Sequence, residues 1–320
     1  MPLSTKNLRV YYQTLKGDVK ALDGASLTLE DGEIMGLAGE SGCGKSTLAK
    51  SLILLKPPMK YIEGKVSLDG KELPIWDDQQ MNKFRYREVS IIPQYAMNAM
   101  NPTRKIGKMV RELLKSREVP YKEKREELEH RLDLVDLTRD VLSMYPIELS
   151  GGMKQRMVMV ISSLLDPSLL MADEITSALD VSTQKAVSEM LVEFRDKGFI
   201  KSLIFITHDI SILYQIADSI TVMYAGKLVE RAPTEEITNS PIHPYTKLLI
   251  SSLPKIGAKY SEEKLKGIPG KPPELLEPPE GCRFKNRCPE SSDNCDEEQP
   301  FAEVSPGHRV ACWKVKENAS

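Results

Sequence analysis

The sequence predicts an α/β fold with a mainly parallel sheet, an antiparallel β subdomain at its start, a helical subdomain and a small C-terminal extension. Three observations predict it. Short apolar runs, Ile34-Met35-Gly36-Leu37-Ala38, Leu169 to Ala172 and Leu203 to Thr207, read as buried strands. They alternate with helical segments, and strand–helix alternation implies right-handed crossovers between parallel strands. The first run leads into a glycine-rich turn and a helix starting near Lys45, with Leu48, Leu52 and Leu55 at helical spacing.

Ahead of that strand, Leu8, Val10 and Tyr12, then Ala21, Ser26, Leu27 and Leu29, read as antiparallel strands with turns at Gly17-Asp18 and Asp31-Gly32. Pro57-Pro58 is expected to stop the first helix. Glu88 to Pro93 is another short strand. Residues 104 to 140 are helical and highly charged, for the most part a solvated face. A helix opens after Ser150-Gly151-Gly152. Ile220 to Met223 and Leu228 to Glu230 flank Ala225-Gly226-Lys227 as a hairpin. Composition shifts after Pro233. The expected division is therefore 1–233, with a helical subdomain at about 98–165, and 234–320. In the second part Pro269 to Pro279 is proline-rich and reads as an extended linker, followed by a cysteine-bearing segment.

A chain of 320 residues with net charge -2 has no basic surplus to recruit nucleic acid. No apolar run approaches the roughly 18 residues a spanning helix needs. Met1 to Asn7 lacks the layout of a signal peptide. The expectation is a cytosolic chain whose membrane role, if any, comes through partners. Of the five cysteines Cys43 stands alone, while Cys282, Cys288, Cys295 and Cys312 crowd toward the C-terminus. In a reducing compartment such a group reads as a metal site before it reads as disulfides.

Gly39-Glu40-Ser41-Gly42-Cys43-Gly44-Lys45-Ser46 matches the Walker A pattern G-x-x-x-x-G-K-[ST]. Glycines let backbone N–H groups turn inward onto phosphate oxygens, and the following helix puts its positive end there. Lys45 supplies a cation for the β- and γ-phosphates of ATP, and the Ser46 hydroxyl is placed for Mg²⁺. Gly39, Ser41, Gly42, Cys43, Gly44, Lys45, Ser46 and Thr47 are the expected nucleotide contacts. Cys43 reads as a small tolerated side chain. The strand Leu169 to Ala172 ends in Asp173-Glu174, where an α/β sheet presents its ligands. Asp173 is expected to hold Mg²⁺, and Glu174 to polarise the attacking water.

Leu149-Ser150-Gly151-Gly152-Met153-Lys154-Gln155-Arg156 resembles the ABC signature L-S-G-G-x-x-x-R. The resemblance runs from about Leu8 to Pro233 and implies a P-loop, RecA-like ABC ATPase core. It implies that Ser150, Gly151, Gly152 and Gln155 serve the ATP of a partner subunit, so that one chain makes half of each of two sites. Gln94 resembles the Q-loop glutamine that senses Mg²⁺ and the transmembrane partner. Ser177-Ala178-Leu179-Asp180 resembles the D-loop of the dimer interface. His208 resembles the switch histidine at the γ-phosphate, and Tyr12 sits where the family has its adenine-stacking aromatic, with Tyr11 adjacent. Most relatives have proline after the Asp-Glu pair. Here it is Ile175, for which a small local backbone change is expected.

His243-Pro244-Tyr245-Thr246, Gly281-Cys282-Arg283-Phe284 with Arg287-Cys288-Pro289, and Pro306-Gly307-His308-Arg309-Val310-Ala311-Cys312 resemble segments of oligopeptide and dipeptide importer ATPases. By bare chemistry, four thiols at C-x5-C-x6-C-x16-C could hold Zn²⁺ or an iron–sulfur cluster. Some members of the family carry a [4Fe–4S] cluster on such cysteines, which favours the cluster. Free or conditionally disulfide-bonded cysteines are the third reading. The resemblance also implies two transmembrane permease subunits, a second ABC ATPase, identical or homologous, and an extracytoplasmic substrate-binding protein, with this chain peripheral on the cytoplasmic face of the membrane. Peptide is the expected cargo and oligosaccharide the alternative, since Tyr95 to Met100 depart from the usual version of that loop. A soluble ABC ATPase of repair or translation fits less well, because the chain has one Walker A and no long coiled-coil insertion. A regulatory module without turnover should have lost Glu174 or His208.

Overall fold

The computed structural model describes residues 3–94, 98–177, 179–252 and 267–317. Ala178 and Tyr95 to Met97, named above, lie outside the described residues. The chain opens with β1 (Leu3–Thr14) and β2 (Gly17–Leu29), then β3 (Ile34–Ala38), α1 (Lys45–Ser51), β4 (Met59–Leu68) and β5 (Lys71–Glu72). After α2 (Asp78–Met81) and β6 (Val89–Ile92) come the helices α3 (Ile106–Ser116), α4 (Tyr121–Leu134) and α5 (Gly151–Ser163). The alternating part resumes with β7 (Leu169–Asp173), α6 (Val181–Asp196), β8 (Ser202–Ile206), α7 (Ile210–Ile216), β9 (Ser219–Tyr224) and β10 (Lys227–Pro233). The C-terminal part holds α8 (Thr234–Asn239), α9 (Pro244–Ser251), β11 (Ala302–Ser305), β12 (His308–Val310) and α10 (Lys314–Glu317).

Two sheets form. One is antiparallel, in the order β2-β1-β4-β5. The other has the order β11-β12-β10-β9-β3-β8-β7-β6. In it β9, β3, β8, β7 and β6 run parallel, as the strand–helix alternation predicts. The three parallel runs read from the sequence are all central strands. Their residues alternate between two buried layers. Ile34, Ala38, Leu170, Ala172, Leu203 and Phe205 face one layer, and Met35, Leu37, Leu169, Met171, Ile204 and Ile206 face the other. A strand covered on both faces reads as a continuous apolar run for this reason. The first layer is closed by the helical side, with Val110, Leu114, Leu128 and Leu132 fully buried. The second is closed by the antiparallel sheet, through Leu8, Val10, Leu27 and Val66.

Several boundaries move from the sequence reading. The first turn is Leu15-Lys16, two residues early, held by the Thr14 hydroxyl to the Gly17 carbonyl at 2.8 Å. Helix α1 ends at Ser51, before Pro57 can act, and its last turn closes by Leu54 N–H to Lys50 O at 2.7 Å. The charged run is two helices, parted at Arg117 to Pro120. The proline-rich stretch has no regular structure but lies against the core. The Leu275 carbonyl accepts from Lys20 N–H at 2.8 Å. The cysteine segment is no isolated appendage either, because β12 pairs with β10 and extends the main sheet.

Candidate active site

The loop from β3 to α1 needs glycine at two places. Gly39 and Gly44 have φ of +145° and +110°, and a Cβ on either would meet a backbone carbonyl, Met223 O at 2.2 Å or Ala21 O at 2.3 Å. Only glycine avoids both the steric clash and the strained backbone. The loop therefore sits directly against β2 and β9. Lys45 is buried, and its ammonium bonds the Gly39 carbonyl at 2.7 Å and the Glu40 carbonyl at 3.1 Å. Ser41 and Gly42 are exposed at the loop crest. Cys43 is buried, and burial pushes its thiol up against the pull of the Lys45 ammonium, which fits a packing role.

Strands β3, β7 and β8 end side by side, so their C-terminal residues meet. The Ser46 hydroxyl donates to Asp173 Oδ1 at 2.9 Å. Burial holds the Asp173 carboxyl above the ordinary range and Glu174 adds to this, while Ser46, Lys50 and Lys45 oppose it. Glu174 has a φ of +49°, an uncommon conformation for a residue with a Cβ. Its N–H bonds the Ile206 carbonyl at 2.9 Å, and its carboxylate accepts from the Gln94 amide at 2.8 Å. His208 follows β8 two residues past that carbonyl and is exposed. Four of the residues singled out in the sequence, Ser46, Gln94, Asp173 and Glu174, thus form one polar cluster of hard oxygen and amide groups, suited to Mg²⁺.

Tyr12 lies on the loop side of β1, with its hydroxyl 3.3 Å from that of Thr47. Tyr11 points the other way and donates to Asp23 at 2.7 Å, as strand alternation requires. Ser150 caps α5, accepting from Met153 N–H at 3.2 Å, and Ser150 and Gly151 are exposed. Gln155 departs from that exposed group. It is buried, and its amide donates to the Ile175 carbonyl at 2.6 Å, tying α5 to the residue after Glu174. Of the four residues expected to serve a partner's ATP, Gln155 is thus the buried one, turned inward by its place on α5. Asp180 caps α6 through Thr183 N–H at 3.0 Å, and hydrogen bonds from Ser182 and Thr183 hold its carboxyl well below the usual range. Ser177 is exposed, with its hydroxyl on the Glu174 carbonyl at 3.0 Å, and Leu179 is half-buried.

Two contacts of the phosphate loop were missed in the sequence. Glu40 is paired with Arg287 at 2.6 Å, and Glu40 N–H donates to the Tyr245 hydroxyl at 2.9 Å. Tyr245 belongs to the His243-Pro244-Tyr245 segment already noted, but nothing local shows where its hydroxyl reaches. Cys282, Cys288, Cys295 and Cys312 line one cavity of about 10 Å³, with His243 and Trp313, and all four are free thiols. Burial, with the neighbouring cysteines, pushes Cys282 up to about 11. Among the described residues no group of three or more His, Cys, Asp or Glu is arranged to hold a metal ion. The donor chemistry of the four thiols suits iron–sulfur or zinc.

The family model described as ABC transporter matches residues 22–177, and that described as oligopeptide/dipeptide transporter, C-terminal region, matches residues 229–295. The chain is 38% identical over 320 residues to the dipeptide transport ATP-binding protein DppD of Caldanaerobacter subterraneus, covering 98% of this chain and 97% of that one. It is 37% identical over 318 residues to the oligopeptide transport ATP-binding protein OppD of Escherichia coli, covering 98% and 94%. Among solved structures, the ATP-binding cassette MJ0796 in a post-hydrolysis dimer with ADP and Pi aligns with a TM-score of 0.63 at 24% identity, over 72% of this chain and 98% of that one. CbiO1 from Clostridium perfringens aligns with a TM-score of 0.64 at 24% identity, over 74% and 90%. These two show the fold. A chain that matches such proteins nearly end to end belongs to the ABC transporter family, as one of its ATP-binding and ATP-hydrolysing proteins.

Proposed function

We propose that this chain is the ATP-hydrolysing motor of a membrane importer for oligopeptides or dipeptides. The observation that carries the cargo is the C-terminal region, residues 229–295, joined to relatives named for dipeptide and oligopeptide transport. No helix among the described residues is long and apolar enough to cross a membrane. Two permease subunits, a second ATPase and an extracytoplasmic binding protein would complete the machine, with this chain peripheral on the cytoplasmic face.

In this reading the N–H groups of Gly39 to Thr47, with Lys45, hold the ATP phosphates, and Tyr12 stacks on the adenine. Ser46, Asp173 and Gln94 would hold Mg²⁺, which would neutralise phosphate charge when bound. Glu174 orients the attacking water, and the strained backbone at its own position and the Gln94 bond aim its carboxylate. His208 reaches the γ-phosphate. Ser150, Gly151 and Gly152 present a capped helix start to the ATP of the partner chain, and Ser177 to Asp180 run along that interface.

The four C-terminal cysteines carry a finer reading, a [4Fe–4S] cluster, with Zn²⁺ as the alternative. Its support is the convergence of four free thiols on one cavity. Iron, sulfide and zinc analysis of anaerobically purified protein decides among cluster, zinc and free thiols.

The cargo is tested by reconstituting the chain with its permeases and binding protein in liposomes. ATP-dependent uptake of labelled di- or oligopeptide, without uptake of oligosaccharide, is expected. Oligosaccharide uptake alone would reverse the assignment, and ATPase activity with no membrane partner would favour the soluble reading.

A further inference from the structure

The phosphate loop is held from outside the motifs that define it. Glu40, the first residue after Gly39, receives a two-pronged ion pair from Arg287, Nη1 to Oε2 at 2.6 Å and Nη2 to Oε1 at 2.9 Å. The remaining donors of that guanidinium are also engaged. Nε bonds the Pro269 carbonyl at 2.7 Å, Nη1 the Tyr224 hydroxyl at 3.1 Å, and Nη2 the Ile268 carbonyl at 3.3 Å. A guanidinium has five N–H donors in a fixed plane, so five acceptors around it fix its position. Its side chain is only 5% exposed.

A second strut comes from Tyr245, whose hydroxyl accepts the Glu40 N–H. Its ring packs on Tyr224 and Phe284, at centroid distances of 4.6 and 5.2 Å. The Glu40 carbonyl is in turn one of the two that bond the Lys45 ammonium. Side chain, N–H and carbonyl of Glu40 are thus all fixed, two of the three by residues of the C-terminal part. Arg287 and Phe284 lie in the same turn region as Cys288 and Cys282, so the cysteine segment is in direct contact with the phosphate loop.

We propose that Arg287 is a positioning residue for ATP: through Glu40 it holds the phosphate loop in its binding shape. The inference rests on the ATP reading of that loop. Arg287 touches no nucleotide itself. It removes the freedom of the loop's first turn, so that less order remains to be imposed when phosphate binds.

The test is steady-state ATPase kinetics of the assembled transporter carrying Arg287→Met, Glu40→Gln or both. Arg287→Met should raise KM for ATP about tenfold with kcat within about twofold, the split expected when ground-state and transition-state binding fall together. Glu40→Gln, which keeps the side-chain shape, should raise KM about threefold or more, and the double variant should be no worse than Arg287→Met alone. A merely structural role would instead lower the active fraction, so a fall in rate with KM unchanged overturns the proposal. So do fold-changes that multiply in the double variant, because Arg287 would then not act through Glu40. Should Arg287→Met fail to fold, an unchanged KM in Glu40→Gln overturns it equally. Wild-type protein that does not bind ATP removes the ATP reading itself, whereas normal wild-type binding with unaffected variants removes only the role of Arg287.

Discussion

The Gln94 amide and the Glu174 carboxylate are joined at 2.8 Å across 80 residues of sequence. The bond links the loop after β6 to the end of β7, where Glu174 already sits in a left-handed backbone conformation. A displacement on the Gln94 side would therefore move the Glu174 carboxylate.

Gln94→Ala should free that carboxylate to leave its aligned position while keeping its charge. ATPase turnover in the assembled transporter should fall about tenfold, as for a misaligned water-positioning group. Turnover within twofold of wild type would show that Gln94 does not orient Glu174.

Ser46→Ala removes the hydroxyl that donates to Asp173. If Ser46 and Asp173 share Mg²⁺, half-maximal activation should need about tenfold more of the ion, because one oxygen ligand has gone. A Mg²⁺ titration reads this directly. An unchanged activation curve would detach Ser46 from the metal.

Ser150→Arg puts bulk and charge at the exposed start of α5 and leaves the sequence of the phosphate loop untouched. ATP binding by the isolated chain should survive, while ATP-driven dimerisation, followed by size-exclusion chromatography, should be lost. Failure of the monomer to bind ATP would contradict a site shared between chains.

The seam between β12 and β10 should respond to pH. Buried His308 bonds Glu230 and Glu236, each at 2.8 Å. The Glu230 bond, then Glu236, raises His308 above its ordinary 6.5 against the effect of burial. Its stabilisation is therefore fully present below 6.5 and is lost as pH rises through the raised value. Glu230 titrates below its ordinary 4.5, so its part is present above 4.5 and is lost as pH falls through the lowered value. Buried His243, pushed down to about 4, works against stability as pH drops from 6.5. Comparison with His308→Gln cancels that background. Wild type should exceed the variant in stability at pH 6, and the gap should shrink as pH rises above 6.5 through the raised value. A gap independent of pH in denaturant unfolding would remove the charged histidine from the account.

The parallel strands and the phosphate loop were legible because their signals are local. A strand buried on both faces shows a run such as Ile34 to Ala38, and the glycines of the loop stand where a Cβ would strike Met223 or Ala21. The inward turn of Gln155 was not legible, since its exposure depends on how α5 rotates against the loop holding Ile175. Nor was the pairing of Glu40 with Arg287, 247 residues apart, which depends on how β12 docks on β10. Proline content alone made Pro269 to Pro279 read as a linker, because composition cannot reveal that the Pro269 and Leu275 carbonyls bond Arg287 and Lys20.

The most direct test of the central claim, ATP hydrolysis at Glu174 driving transport, compares wild type with Glu174→Gln in the assembled transporter. The variant should bind ATP normally and accumulate an ATP-bound dimer, while its turnover falls on the order of a hundredfold or more and uptake stops. Turnover and uptake close to wild type would contradict the account.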